Sequence, residues 1–435
     1  MTTTHKTTIA TPATEPAMLS RRQILMAAST LAAGVLPGMA RAAQAPVKIG
    51  LISPLTGPLA SFGESDKYMV GKIQALLKDG LTVNGTTYPV EILVRDCQSN
   101  PNKAAELAGN LILTDKVHLM LPASTTDAIN PVADQCELNG VPCLSSQAPW
   151  QAFFFQRGGK LDKPFKWTYH FFWGLEDVIS VYTSMWNSVS TNKKVGLLFP
   201  RNADGEGWGS KEFGLPSAMA KTGFEAVTPS SFQPLTSDFS AQITEYKKST
   251  VDIIGGIAYP ADLRTFITQC RQQQFKPKVV TVAAALLFPS AVEAMGDLGP
   301  GMSTEVWWTP AFPFKSSLTG ETCAKLADDW EASSKKQWTQ PLGYAHALWE
   351  VAIDALKRSK NPLDRESIRQ AITTTNLTTV AGQVNFASGG PVKNVAKTAV
   401  LGGQWVKGTK HKLDLRIVDV SLSKSIAAEG KLTLM

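Results

Sequence analysis

The residues best placed to hold a small molecule lie in one stretch, Val117–Pro131, where V-H-L-M-L-P runs into A-S-T-T-D-A-I-N-P. Val117, Leu119 and Leu121 alternate as a strand does, and Pro122, with no N–H to donate, ends the ladder. Ser124, Thr125 and Thr126 follow at once, and a helical pattern then runs to Asn139-Gly140. Hydroxyl residues at a helix N-terminus gather free backbone N–H groups and Oγ–H donors around one point. That point suits a carboxylate or another small anion. Taken alone, the same residues also serve as an ordinary helix cap.

Catalytic chemistry finds little support. The chain lacks G-x-x-x-x-G-K-[ST], H-E-x-x-H and G-x-S-x-G, and its five histidines (5, 118, 170, 346 and 411) are scattered. Ser333-x-x-Lys336 matches a hydrolase tetrad, but it sits in a polar helix end without the companion motifs. No pair of acids at two strand ends suggests glycoside chemistry. The five cysteines (97, 136, 143, 270 and 323) form no C-x-x-C or Cys/His cluster, so neither a metal nor a cofactor is expected. Their odd count leaves at least one thiol free. Cys136 and Cys143 are the nearest pair, open to a bridge or to plain apolar burial.

The N-terminus reads as an export signal. A polar segment, residues 1–19, precedes Ser20-Arg21-Arg22-Gln23-Ile24-Leu25, and an apolar run to Gly38 leads to Ala40-Arg41-Ala42. Paired arginines, a moderate apolar segment and an A-x-A site, in that order, predict a twin-arginine signal peptide over residues 1–42. Cleavage is expected after Ala42, with Ala45 as the alternative. No cysteine stands near the site to take a lipid anchor, and no later run is long and apolar enough to span a bilayer. The expected location is periplasmic and soluble. Removing the first 42 of 435 residues leaves 393, enough for two domains with full cores. It also removes four basic residues and one acidic one, lowering the formal net charge from +7 to +4. That balance, with no basic run interleaved with aromatics, argues against nucleic-acid binding.

The elements that position the hydroxyl loop alternate regularly. A strand at Val47–Leu51 leads through turn-rich Ser53–Pro58 to a helix with Met69, Ile73, Leu76 and Leu77 on one face, stopped at Gly80. Asn84-Gly85 signals a hairpin. Strand Val90–Val94, helix Asn102–Thr114, the opening stretch and strand Val141–Leu144 continue the pattern, which implies parallel βαβ crossovers in a doubly wound sheet. Residues 147–170 break the rhythm with Gln147-Ala148-Pro149-Trp150 and Gly158-Gly159. It restarts with a helix at Leu175–Val189, a strand at Val195–Phe199 and a helix from about Ser210, and continues to a strand at Val279–Val282. E-V-W-W-T at 305–309 is a further strand; long helices and short C-terminal strands follow. Two similar α/β blocks joined by an irregular crossing predict two lobes of one architecture.

Five segments then carry a resemblance. They are V-K-I-G-L-I-S-P-L-T-G-P-L-A-S-F-G at 47–63, R-D-C-Q-S-N-P-N-K-A-A-E-L-A at 95–108 and N-G-V-P-C-L-S-S at 139–146. S-D-F-S-A-Q-I at 237–243 and A-Y-P-A-D-L-R-T-F-I-T-Q-C-R at 258–271 complete them. Together with the S-T-T loop they resemble, in family order and over nearly the whole mature chain, the periplasmic solute-binding proteins of ABC transporters. The branched-chain amino acid (Leu/Ile/Val) binding type, with its type I periplasmic binding fold, is the nearest kind. The resemblance implies an α/β fold of two doubly wound parallel-sheet lobes joined by a three-crossing hinge. Mapped here, the crossings fall near Thr168–Phe172, Trp307–Ala311 and Thr379–Pro391. Lobe one is then 46–168 plus 310–380, and lobe two 172–306 plus 384–435. It further implies a monomer without enzymatic activity that captures a small molecule by hinge closure. The implied partners are an inner-membrane ABC permease and its ATPase subunits.

In the resembled family two loops of lobe one hold a ligand carboxylate. The matching positions are Ser124 and Thr125, then Ser146, Gln147 and Ala148. The second loop departs from the family's small-residue and Thr pattern and carries the bulky Pro149-Trp150. Lobe two covers the ligand with aromatics, matched by Trp208, between Gly207 and Gly209, and by Tyr259. Trp150 joins the ligand-binding set, with Phe288, Trp307 and Trp308 as further aromatics. An amino-acid binder needs an acid in lobe two for the ammonium. Residues 281–289, where it is expected, have none, and sequence does not say where Asp204 and Glu206 point. The expected ligand is therefore a small solute with a carboxylate on an apolar or aromatic body and no amine. The alternatives are a binder of branched-chain amino acids or amides, a ligand-sensing receptor module, and a periplasmic cofactor enzyme prompted by the export route.

Overall fold

A computed structural model describes residues 2–3, 44–388, 390–423 and 425–435. The signal peptide expected over residues 1–42 lies, but for Thr2 and Thr3, outside the described residues.

β1 (Val47–Ser53) buries nearly every side chain, the pattern of a strand covered on both faces. α1 (Ala60–Leu76) turns Phe62, Met69, Val70 and Ile73 inward. The hairpin of β2 (Leu81–Val83) and β3 (Thr86–Tyr88) turns on Asn84 and Gly85, whose φ angles of 49° and 77° suit a two-residue hairpin turn. β4 (Val90–Asp96) leads to α2 (Pro101–Leu113). Here Asn100 accepts from the N–H groups of Asn102 and Lys103, and Pro101 fills a first-turn position that needs no donor. Asn100→Ala is expected to cost about 1 kcal/mol in urea unfolding; an unchanged midpoint would dismiss the cap. β5 (Leu119–Pro122), α3 (Thr126–Asn139), β6 (Cys143–Ser146), α4 (Trp150–Phe155) and β7 (Thr168–Phe171) complete the first block.

The second block runs α5 (Leu175–Asn187), β8 (Lys194–Leu198), α6 (Ala203–Trp208), α7 (Leu215–Thr222), β9 (Glu225–Val227) and α8 (Ser240–Lys248). It continues with β10 (Ile253–Ala258), α9 (Pro260–Gln272), β11 (Val279–Ala284), α10 (Pro289–Glu293) and β12 (Ser303–Val306). The helix expected from about Ser210 begins only at Leu215, behind Gly214, and a short helix not expected from sequence, Ala203–Trp208, precedes it and ends at Gly209. Then come α11 (Cys323–Ser334), α12 (Gln340–Arg358), α13 (Arg365–Thr373), the hairpin β13 (Asn376–Thr379) with β14 (Gly382–Asn385), β15 (Val395–Ala396), β16 (Leu401–Lys407) and β17 (Leu413–Asp419).

The first sheet has the order β4-β1-β5-β6-β7-β15 and is parallel throughout. The second, β9-β8-β10-β11-β12, is parallel and is extended beyond β12 by antiparallel β16 and β17. The chain passes between sheets after β7, after β12 and between β15 and β16, which makes the three-crossing hinge of two α/β lobes. One boundary differs from expectation. Val395 and Ala396, expected in lobe two, pair with His170 and Phe171 of β7, so the third crossing follows Ala396. A strand of two residues is too short to show alternation in sequence. All five cysteines are buried and free, so Cys136 and Cys143 form no bridge. Among the described residues no helix is long and apolar enough to cross a membrane.

Candidate functional site

Strand order in the first sheet reverses on either side of β1, and in such sheets ligands bind beyond the carboxyl ends of the strands. The carboxyl ends of both sheets meet there around one cavity, about 40 Å³ of it open to the centre of a water molecule. The first lobe supplies Phe62 of α1, Thr125 after β5, Gln147 and Pro149 after β6, and Phe172 and Trp173 after β7. The second supplies Asp204 and Trp208 of α6, Ile257 of β10, Ala283, Ala284 and Leu287 at the end of β11, and Glu305 and Trp307 at the end of β12.

Backbone strain gathers at this cavity. Thr125, Gln147 and Ala284 hold φ of 62°, 72° and 65°, and Ser124 beside them has 62°. A left-handed backbone costs a residue with a Cβ about 1–2 kcal/mol, and such outliers cluster where function requires them. Unpartnered polar atoms gather there too. Thr125 Oγ1, both amide atoms of Gln147, and the indole N–H groups of Trp173 and Trp307 are buried without a partner in the protein. Buried polar groups are nearly always hydrogen-bonded, so this set is fit to receive the polar head of a ligand.

Two carboxylates complete the lining. Asp204 Oδ1 accepts the Thr126 N–H at 3.1 Å, across the cleft in the first turn of α3, and Oδ2 accepts the Tyr259 hydroxyl at 2.7 Å. In return Asp127 Oδ1 accepts the Ala203 N–H at 3.4 Å, so each lobe's helix start receives the other lobe's acid. Burial, then the neighbouring Asp204 charge, pushes the Asp127 carboxyl up to about 7. Glu305 Oε2 accepts the hydroxyls of Tyr182 and Thr304; burial raises its pKa and these bonds oppose the rise. Gln340 of α12 fixes the second crossing, accepting the Trp307 N–H at 2.7 Å and donating to the Glu305 carbonyl at 2.8 Å. Phe172 stands edge-on to Trp307, with ring centres 5.0 Å apart.

A sequence model of the periplasmic binding protein family matches residues 46–409. The chain belongs to that family. As such it is a solute-binding protein. A Leu/Ile/Val-binding protein homolog of Brucella melitensis biotype 1 is 27% identical over 244 residues, which are 54% of this chain and 60% of that relative's length. A leucine-binding protein from Thermotoga maritima MSB8 superposes with a TM-score of 0.69 at 20% identity, covering 86% of this chain and 99% of the other. An ABC transporter solute-binding protein from Rhodopseudomonas palustris BisB5, solved in complex with 3,4-dihydroxybenzoic acid, gives 0.68 at 18% identity, covering 89% and 98%.

This periplasmic binding protein brings only some of the expected residues into its cavity. Thr125, Gln147 and Trp208 line it. Ser124 lies behind, its hydroxyl donating to Asp66 at 3.4 Å; Asp66 also takes the Ser53 hydroxyl at 2.6 Å, and burial pushes its carboxyl up to about 6. Ser146 donates to the Phe171 carbonyl at 2.6 Å, and the Ala148 carbonyl lies 2.7 Å from His170 Nε2. Trp150 donates its indole N–H to Glu176 at 3.1 Å, away from the cavity, and Tyr259 holds Asp204 rather than lining the space. Of the further aromatics Trp307 lines the cavity, whereas Phe288 packs edge-on against Phe62 at 4.9 Å.

One expectation loses its ground. The expectation of a ligand without an amine rested on the absence of an acid from residues 281–289; Asp204, whose direction the sequence leaves open, and Glu305 both line the cavity, so that support is removed. The sequence signal for Glu305 was an acid inside the otherwise apolar run E-V-W-W. Phe62, Phe172 and Trp173 carried no separable signal, since buried aromatics in helices and at crossings usually pack in the core.

Proposed function

We propose that the mature chain is the extracytoplasmic solute-binding component of an ABC importer, sent to the periplasm by the twin-arginine signal of residues 1–42. On this reading it catalyses no reaction and delivers a small carboxylate-bearing solute, apolar or aromatic in its body, to an inner-membrane permease and its ATPase subunits. Residues 46–168 plus 310–380, with Val395–Ala396, move as one lobe, and 172–306 with the remaining C-terminal strands as the other. Solute contacts to both lobes favour the closed form, which the permease recognises.

The observation that carries this reading is the buried inter-lobe cavity with unpartnered donors on strained backbone at Thr125 and Gln147. Thr125, Gln147 and the indole N–H groups of Trp173 and Trp307 hold the carboxylate, and Trp208 covers the body. Ser124, Ser146, Ala148, Trp150 and Tyr259 act from behind, holding the loops. Relatives named for leucine, isoleucine and valine, and a neighbour bound to 3,4-dihydroxybenzoic acid, support a carboxylate on an apolar or aromatic body.

A melting screen of the mature protein with amino acids, amides, and aliphatic and aromatic carboxylates tests it. At a hundredfold excess over Kd a bound carboxylate adds about 2.7 kcal/mol, a plain rise in Tm. No shift with any class rejects the reading.

A further inference from the structure

Gln147 turns its amide into the cavity from a left-handed backbone, at φ 72°, and neither amide atom has a partner in the protein. Its side chain therefore does nothing to hold it there. A residue in such a conformation persists only where its surroundings over-determine it. The hold comes from the residues that follow. Trp150, the bulky departure from the family's loop pattern, donates its indole N–H to Glu176 Oε1 at 3.1 Å and its backbone N–H to the Trp173 carbonyl at 3.2 Å. The Gln151 amide donates to Glu176 Oε2 and accepts the Leu175 N–H at 2.9 Å. Lys397, just past the third crossing, reaches Glu176 Oε1 at 2.8 Å and Asp177 Oδ1 at 2.7 Å.

An acid in the first turn of a helix ordinarily faces water and complements the helix dipole. Glu176 instead folds back over its own chain. A Cβ at Gly174 would collide with its carboxylate, so the fold reserves bare backbone for it, although the Gly174 φ of −100° suits any residue. Burial acts to raise the Glu176 pKa, and the donors Lys397, Trp150 and Gln151 outweigh it, holding the carboxyl below its ordinary range. The side chain is 46% exposed, so an ion pair with Lys397 alone would contribute little. Its distinction is convergence: the first lobe's loop, the start of α5 and the chain beyond the third crossing meet on one carboxylate.

We propose that Glu176 is a positioning residue, whose carboxylate fastens the 147–151 loop to the first and third crossings and so keeps Gln147 aimed into the cavity. The inference rests on the solute-binding reading of the cleft and adds to it a residue that lies outside the cleft.

Hydrogen exchange of the unliganded mature protein tests it. In Glu176→Ala the peptide 147–153 is expected to exchange about tenfold faster, with peptides from β1 and α9 unchanged. Glu176→Gln, whose one oxygen can still take Trp150 and Lys397, should recover part of the protection. Gly174→Ala should speed the same peptide by displacing the carboxylate, and should add nothing there once residue 176 is alanine. Titration calorimetry with leucine and 3,4-dihydroxybenzoate gives a second readout. The affinity of whichever binds should fall about tenfold in Glu176→Ala, while the Tm of the unliganded protein stays nearly unchanged. Unchanged exchange at 147–153, acceleration spread evenly over the chain, or undiminished affinity overturns the proposal. If the wild type binds no acid or amide, the solute-binding reading fails, and the exchange of 147–153 still decides the role of Glu176.

Discussion

Asp204→Ala is expected to lower the unfolding free energy of the mature protein by about 2–4 kcal/mol, read from urea midpoints or Tm. The side chain accepts the Thr126 N–H in the first turn of α3 and the Tyr259 hydroxyl, and it is buried. Its removal strips a cap from a 14-residue helix, worth about 1 kcal/mol. It also leaves two buried donors unpaired, each costing about 1–3 kcal/mol. Relief of repulsion with Asp127 returns part of that. Asp204→Asn still accepts one donor but turns an amide NH2 toward the other, so its loss should be smaller. The bond to Thr126 crosses the cleft, so the variant also removes a contact that holds the lobes together. A loss below about 0.5 kcal/mol for the alanine variant, no more than an ordinary surface change, would mean that α6 does not close on α3 in solution.

That contact marks where sequence stops being informative. The strand–helix alternation, the Asn84-Gly85 turn and the two sheets were legible because buried parallel strands and amphipathic helices write their periods into the chain. Thr125 and Gln147 were legible as well, since both follow directly on strands whose carboxyl ends open at the cleft. Their neighbours Ser124 and Ser146 were indistinguishable from them by type. Which hydroxyl residue faces the cavity depends on single φ angles: Thr125 lines it, and Ser124 turns back to Asp66. Tyr259 was placed correctly in its loop, but its hydroxyl reaches only as far as Asp204. Asp204 and Glu305 lay beyond reach for a different reason. Their role is set by the approach of the other lobe and by the end of β12, and no local pattern encodes either. An acid at the head of the apolar run Val306–Trp308 was the one available warning.

The same approach of the lobes makes stability depend on pH through Asp127. Packed against α6, it faces the charges of Asp204 and Glu206, the Asn202 side chain and the Ala203 N–H, and burial leads the rise of its pKa from 3.8 to about 7. A folded-state pKa above the unfolded value means that the folded protein holds a proton the open chain has lost. The stability this group contributes is therefore full below about pH 4 and drains away as pH rises through about 7. At about 1.4 kcal/mol per pKa unit the whole loss is on the order of 2–4 kcal/mol. Asp127→Asn cannot ionise and still accepts from Ala203, so it should match the wild type below about pH 4, separate from it as pH rises, and exceed its stability by that order at pH 8. His170 and His346, pushed down to about 3 by burial, work the opposite way, because the unfolded chain takes up their protons on acidification. Both proteins carry those histidines, so the difference between their urea midpoints across pH isolates Asp127. Parallel curves would show that Asp127 ionises freely and that the lobes do not bury it. Diverging curves would tie the proton to closure, since α6 and its preceding residue supply the neighbouring charges of Asp204 and Glu206 and the bonds from Asn202 and Ala203. In that case a falling pH tightens the closed form.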